Sequence, residues 1–176
     1  HGSFGACPDA VLDAQSRFRD MLEREPVRYM VEQLEPLHDE ARSRLASFLG
    51  VGEPADLAFV PNATHGINAV LRSLDFEPGD EILTCDHEYN ACVNAAKFIA
   101  DRTGANLTMA RLPWPIESED QIVEALLAAV TLRTRLVMLS HITSPTAIVL
   151  PIERIQTELR VRGIQLLIDG AHAPGM

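Results

Sequence analysis

The sequence predicts an α/β fold, a three-layer αβα arrangement around a mostly parallel sheet, and three observations predict it. From residue 57 onward, short apolar runs alternate with helical stretches, the pattern of strands joined by helical crossovers. One run, Leu166-Leu167-Ile168, is apolar without interruption, as suits a strand covered on both faces. The chain has 176 residues, 47% hydrophobic and 23% charged, which matches one ordinary globular domain and neither a disordered nor a collagen-like chain. Aromatic residues make up only 5%, so Leu, Val, Ile and Ala must fill the core.

The elements follow in order. Pro8 and Asp9 open a helix that runs to about Glu25, with Val11, Leu12, Phe18 and Leu22 at helical spacings. Pro26 stops it. A second helix carries Tyr29, Met30, Leu34, Leu37, Ala41, Leu45 and Phe48 on one face and ends at Gly50; Pro36 inside it is expected to kink or split it. Strands are expected at Leu57–Val60, Glu81–Thr84, Asn106–Arg111, Arg135–His141 and Gln165–Ile168. Helices are expected at Thr64–Leu74, Tyr89–Thr103, Glu119–Ala129 and Ile152–Arg162. Glu77-Pro78-Gly79-Asp80 and Arg162-Gly163 read as connecting turns. This gives one domain, with N-terminal helices over 1–50 and an α/β core over 51–176.

The net charge of −10 argues against a nucleic-acid partner, whose phosphates call for a basic patch, and against adsorption to a membrane surface. Nor does any apolar run reach the roughly 18 residues of a membrane span. Cys7, Cys85 and Cys92 are odd in number and unpaired in spacing, which reads as reduced thiols and a cytoplasmic protein. Lys97 is the single lysine among 15 basic residues. It falls about two turns into its helix, roughly 10 Å beyond the strand end by helical rise, and reads as a surface residue.

In such sheets ligands bind beyond the carboxyl ends of the strands, so the segments there carry the functional information. Asn62-Ala63-Thr64-His65-Gly66 leads into a helix N-terminus, where free N–H groups and the helix dipole suit an anion; a plain Thr N-cap is the alternative. It is neither a Walker A loop nor GxGxxG, which removes the main support for ATP or a dinucleotide. Asp169 ends the most apolar strand, where its carboxylate can hold a protonated heterocyclic nitrogen or simply cap a turn. In Asp86-His87-Glu88-Tyr89-Asn90, His87 can stack on an aromatic ligand, or the stretch can be a helix start capped by Asp86. His141 reads as a buried, satisfied histidine. Neither His38-Asp39-Glu40 nor Cys85, His87 and Cys92 has the spacing of a metal site, so no metal is expected.

Together these stretches resemble the class V aminotransferase family of the fold-type I pyridoxal-phosphate enzymes, most nearly its isopenicillin N epimerase-like members. The residues that carry the resemblance are His1-Gly2-Ser3-Phe4-Gly5, Asp86-His87-Glu88-Tyr89, Ser140-His141 with Ser144, and Asp169-Gly170-Ala171-His172-Ala173-Pro174-Gly175. The resemblance implies part of the large domain of such an enzyme, with pyridoxal 5'-phosphate as cofactor. It implies that Ala63, Thr64 and His65 cradle the cofactor phosphate, that His87 stacks on the pyridine ring, and that Asp169 pairs with the ring nitrogen. His172 stands where cysteine desulfurases carry Gln, and Ser144 where they carry Asn. Both departures favour the epimerase-like group.

The family's Schiff-base lysine follows the Asp-Gly-Ala-His segment, and this sequence ends at Met176 before any such motif, so the chain is expected to be an N-terminal fragment. The resemblance further implies an amino acid as substrate, a homodimer, and removal of a Cα proton leading to epimerisation, transamination or C–S/β-elimination. The alternatives are a non-catalytic cofactor-binding fragment, a cysteine desulfurase or lyase relative, and an unrelated carbohydrate- or nucleotide-binding α/β domain.

Overall fold

A computed structural model describes residues 5–176; His1-Gly2-Ser3-Phe4, part of the first motif above, lie outside the described residues. The chain forms two compact units, one ending at Phe59 and the other spanning Val60–Met176.

The first unit is helical. Helix α1 spans Asp9–Arg24 and buries none of its residues. A short turn, α2 (Pro26–Arg28), leads through a π-helical stretch, Tyr29–Gln33, into α3 (Leu34–Leu49). The break expected at Pro36 takes this form. Proline has no N–H for the carbonyl four residues back and crowds it, and widening the preceding turn accommodates both effects. Gly50, at φ 70, closes α3 in the left-handed conformation, donating its N–H to the carbonyls of Ala46 and Ser47.

The second unit is the α/β body. Helix α4 (Ala63–Ser73) precedes β1 (Glu81–Cys85), α5 (Asn90–Thr103), β2 (Asn106–Ala110), α6 (Glu119–Ala128), β3 (Thr134–Ser140), α7 (Ile152–Val161) and β4 (Gln165–Asp169). The four strands pair in the order β2-β1-β3-β4, every pair parallel. Because side chains alternate across a strand, neighbours in sequence face opposite layers. Ile82, Leu136 and Met138 pack with Ile67 and Leu71 of α4 and Cys92, Ala96 and Ile99 of α5. Leu83, Cys85, Val137 and Leu139 pack instead with Ile122 and Leu126 of α6 and Ile155 and Leu159 of α7. The central strands β1 and β3 are therefore covered on both faces, whereas β4, whose unbroken apolar run suggested the same, is an edge strand with Ile168 exposed.

One expected strand is absent. Leu57–Val60 is extended but pairs with no strand among the described residues. Its apolar run is real, but Phe59 and Val60 stay exposed, and without a ladder partner an apolar run is not a strand. The other strands shift by one residue at most at either end, and α4, α5 and α6 likewise.

Candidate active site

All four strands being parallel, their carboxyl ends share one edge of the sheet, and Ser140 and Asp169 stand side by side there in register. Asp169 is buried at 5% exposure. Its Oδ1 accepts the Ala171 N–H at 3.0 Å, which closes the turn after β4. Its Oδ2 accepts the Cys92 Sγ–H at 3.2 Å from α5. The turn-capping alternative thus accounts for one oxygen. No cation pairs with the other among the described residues, although burying a charge is unfavourable unless it is paired. Burial and the neighbouring Asp169 push the Cys92 thiol up to about 12, so it stays protonated as the donor. Burial likewise pushes Cys85 up to about 12.

His87 follows β1. Its Nδ1 lies 2.9 Å from Thr146 Oγ1, its Nε2 lies 3.9 Å from Asp86 Oδ1, and its ring stands 5.7 Å from that of Trp114 at a 30° tilt. The Asp86 cap is corrected by the structure. Asp86 Oδ1 instead accepts the Leu112 N–H at 3.0 Å, tying the end of β1 to the segment after β2, and α5 begins at Asn90 without a side-chain cap bond.

At the start of α4 the cap is Asn62 rather than Thr64. Asn62 Oδ1 accepts the His65 N–H at 2.8 Å, which commits one of the donors assigned to the anion cradle. The Ala63 and Thr64 N–H groups and the Thr64 hydroxyl have no partner among the described residues. Ala63 and His65 are exposed and Thr64 half-buried. Ser144 is exposed in the loop after β3; His172, in the turn after Asp169, and His141 are half-buried. Lys97 is a surface residue paired with Asp101 at 2.8 Å.

Two residues escaped the sequence reading. Glu88 is buried at 8% exposure, and its carboxylate joins the ends of β1 and β3: Oε2 accepts the Ser140 N–H at 2.6 Å and Oε1 accepts the Ser140 hydroxyl and the Tyr89 N–H. It lay within a quoted motif, and only its place between a strand end and a helix start hinted at burial. Trp114, the single tryptophan, is 70% exposed beside His87, and no spacing signalled it.

A parallel sheet whose carboxyl edge carries a buried carboxylate without a cation among the described residues, together with a histidine ring, defines a class of protein. The family model for class-V aminotransferases matches residues 6–175, and the chain belongs to that family. It is 37% identical over 174 residues to an isopenicillin N epimerase of Streptomyces clavuligerus and 40% over 177 to that of Amycolatopsis lactamdurans, each match covering 99% of this chain and 44% of the relative. Solved structures of the cystine C-S lyase C-DES match with TM-score 0.88. One, in complex with its product cysteine persulfide, is 28% identical and covers 99% of this chain and 47% of C-DES. In another, a mutant, glycine is covalently linked to the PLP cofactor. The chain thus spans less than half the length of the relatives it matches. The fold is that of the fold-type I αβα domain, and pyridoxal phosphate is the family's cofactor.

Proposed function

We propose that this chain is the cofactor-binding part of a pyridoxal-phosphate-dependent amino-acid enzyme of the isopenicillin N epimerase-like kind, working as a homodimer on a small amino-acid substrate. The observation that carries the reading is Asp169, a buried carboxylate with two neutral donors and no cation among the described residues, at the edge where ligands of such sheets bind. The residues present fit the cofactor at three points. Asp169 suits a protonated ring nitrogen, the flat His87 suits an aromatic face, and the start of α4 offers free N–H donors to a phosphate.

Bound pyridoxal phosphate supplies the electron sink for chemistry at an amino-acid Cα. Asp169 keeps the ring nitrogen protonated, because an anion held in a poorly solvated site favours the charged partner. Ala63, Thr64 and the helix dipole hold the phosphate. His65 serves with its side chain only, its N–H being committed to Asn62. His87 covers one face of the ring, and Ser144 and His172 line the approach to it from the loops after β3 and β4. The higher identity to the epimerases than to the C-S lyase favours reprotonation at Cα over elimination.

Pyridoxal phosphate added to the 176-residue chain, followed by desalting, should leave cofactor absorption with the protein, and Asp169→Asn should not abolish that retention. A wild-type chain that emerges free of cofactor contradicts the reading. In the longer protein, racemisation of an amino acid without release of sulfide or persulfide is the expected outcome, and sulfide release would select the lyase alternative.

A further inference from the structure

From the loop after β3 we infer that Thr143 and Thr146 are positioning residues for His87, fixing its ring as the neutral tautomer with the proton on Nε2. Thr143 is buried at 1% exposure, and its Oγ1 accepts the Ile148 N–H at 2.9 Å. The Ile148 carbonyl already takes the Thr143 N–H at 2.9 Å and lies 3.4 Å from the Thr143 hydroxyl, whereas Thr146 Oγ1 lies at 2.8 Å. The Thr143 proton therefore goes to Thr146. With Thr146 accepting from Thr143, the one proton of its hydroxyl is left free, and the relay assigns it to His87 Nδ1 at 2.9 Å. An accepting Nδ1 places the ring proton on Nε2, on the side where Asp86 Oδ1 lies 3.9 Å away.

The chain of donors runs one way, from a backbone N–H through two hydroxyls to an imidazole nitrogen, and each bond polarises the next. The loop that carries it is closed by Ala147 at φ 55, a left-handed conformation that residues other than glycine rarely adopt, and by the isolated bridge between Ile142 and Val149. The relay fixes the plane that His87 presents beside Trp114. Its use in covering a cofactor ring rests on the function proposed above, but the tautomer belongs to the chain alone.

Nitrogen NMR of the 176-residue chain, made with isotope-labelled histidine and assigned with His87→Gln, reads the tautomer directly. The expected result is Nε2–H in the wild type. Thr146→Val should lower the preference for it about fivefold, the effect of one net hydrogen bond, and Thr146→Ser should restore it. Thr143→Val should act in the same direction. If its buried position prevents folding, the exposed Thr146 carries the test. Nδ1–H in the wild type, or an unchanged tautomer in Thr146→Val, overturns the inference. Cofactor retention measured on the same samples separates the two readings. Loss of retention with the predicted tautomer refutes the function alone, whereas retention with the wrong tautomer refutes the relay alone.

Discussion

Two carboxylates at opposite edges of one sheet are almost equally buried, Asp80 at 7% exposure before β1 and Asp169 at 5% at the end of β4. Their partners differ. Asp80 has Arg133 at 3.7 Å and Arg135 at 3.8 Å, and its Oδ2 also accepts the Glu77 N–H at 2.9 Å. Asp169 has a thiol and one N–H, and Glu88 near it likewise has donors but no cation among the described residues. At the amino edge the fold answers its buried charge with its own arginines. At the carboxyl edge no cation among the described residues meets Asp169, and the function proposed above assigns that place to a positively charged heterocycle. The difference teaches that one edge is neutralised by the fold's own side chains while the other is held by neutral donors, the arrangement the proposed ligand site requires.

The sharpest way to break that comparison is to neutralise each carboxylate. In the longer protein, Asp169→Asn should lower turnover about 10²–10³-fold, the scale of removing one preorganised charge from a reacting centre, while cofactor remains bound. Steady-state kinetics and the cofactor absorption check the two halves. The same change should leave the melting temperature near the wild-type value, since it removes an unpaired buried charge. Asp80→Ala should destabilise the fold by about 1–3 kcal/mol, because it orphans the Glu77 N–H and removes an ion pair whose arginines are largely exposed. Urea unfolding of the two variants decides it, and equal losses of stability would erase the distinction between the edges.

Glu88→Ala sharpens the comparison from the ligand side. It leaves the Ser140 and Tyr89 donors without their acceptor, at about 1–3 kcal/mol for each one that stays buried and unmet. A thermal melt should therefore show a loss no smaller than that of Asp80→Ala. Thr64→Ala removes one donor to the phosphate and should weaken cofactor retention about tenfold, read as the dissociation constant.

The smallest effect is alkaline. The folded chain holds Cys85 and Cys92 at about 12 against an ordinary 9.0, so both favour folding below the unfolded value and lose that contribution as pH rises from about 9 to 12. Cys85→Ala should flatten the fall in stability over that interval relative to the wild type. At neutral pH a thiol reagent should modify the exposed Cys7 and spare the other two until the chain unfolds.

Much of this was legible in the sequence because it rests on local pattern. Alternating apolar runs and helices placed four parallel strands, and their carboxyl ends pointed to His87 and Asp169, whereas Ser144 and His172 entered only through the family resemblance. What escaped depends on contacts distant in sequence. Leu57–Val60 has a strand's composition but no strand to pair with among the described residues. Asn62, not Thr64, caps α4, because the helix starts one residue earlier than its apolar face suggests. Glu88 and Ser140 are 52 residues apart, and Thr146 and His87 are 59 apart, so no spacing rule connects them. That Asp169 meets no cation among the described residues is visible only once the fold has placed the arginines elsewhere.

The most direct test of the central claim is the protonation of the cofactor's ring nitrogen, read by nitrogen NMR on labelled pyridoxal phosphate bound to the wild-type chain and to Asp169→Asn at mildly alkaline pH. The account predicts a protonated nitrogen in the wild type and an unprotonated one in the variant. An unprotonated nitrogen in the wild type, or the same resonance in both proteins, would contradict it.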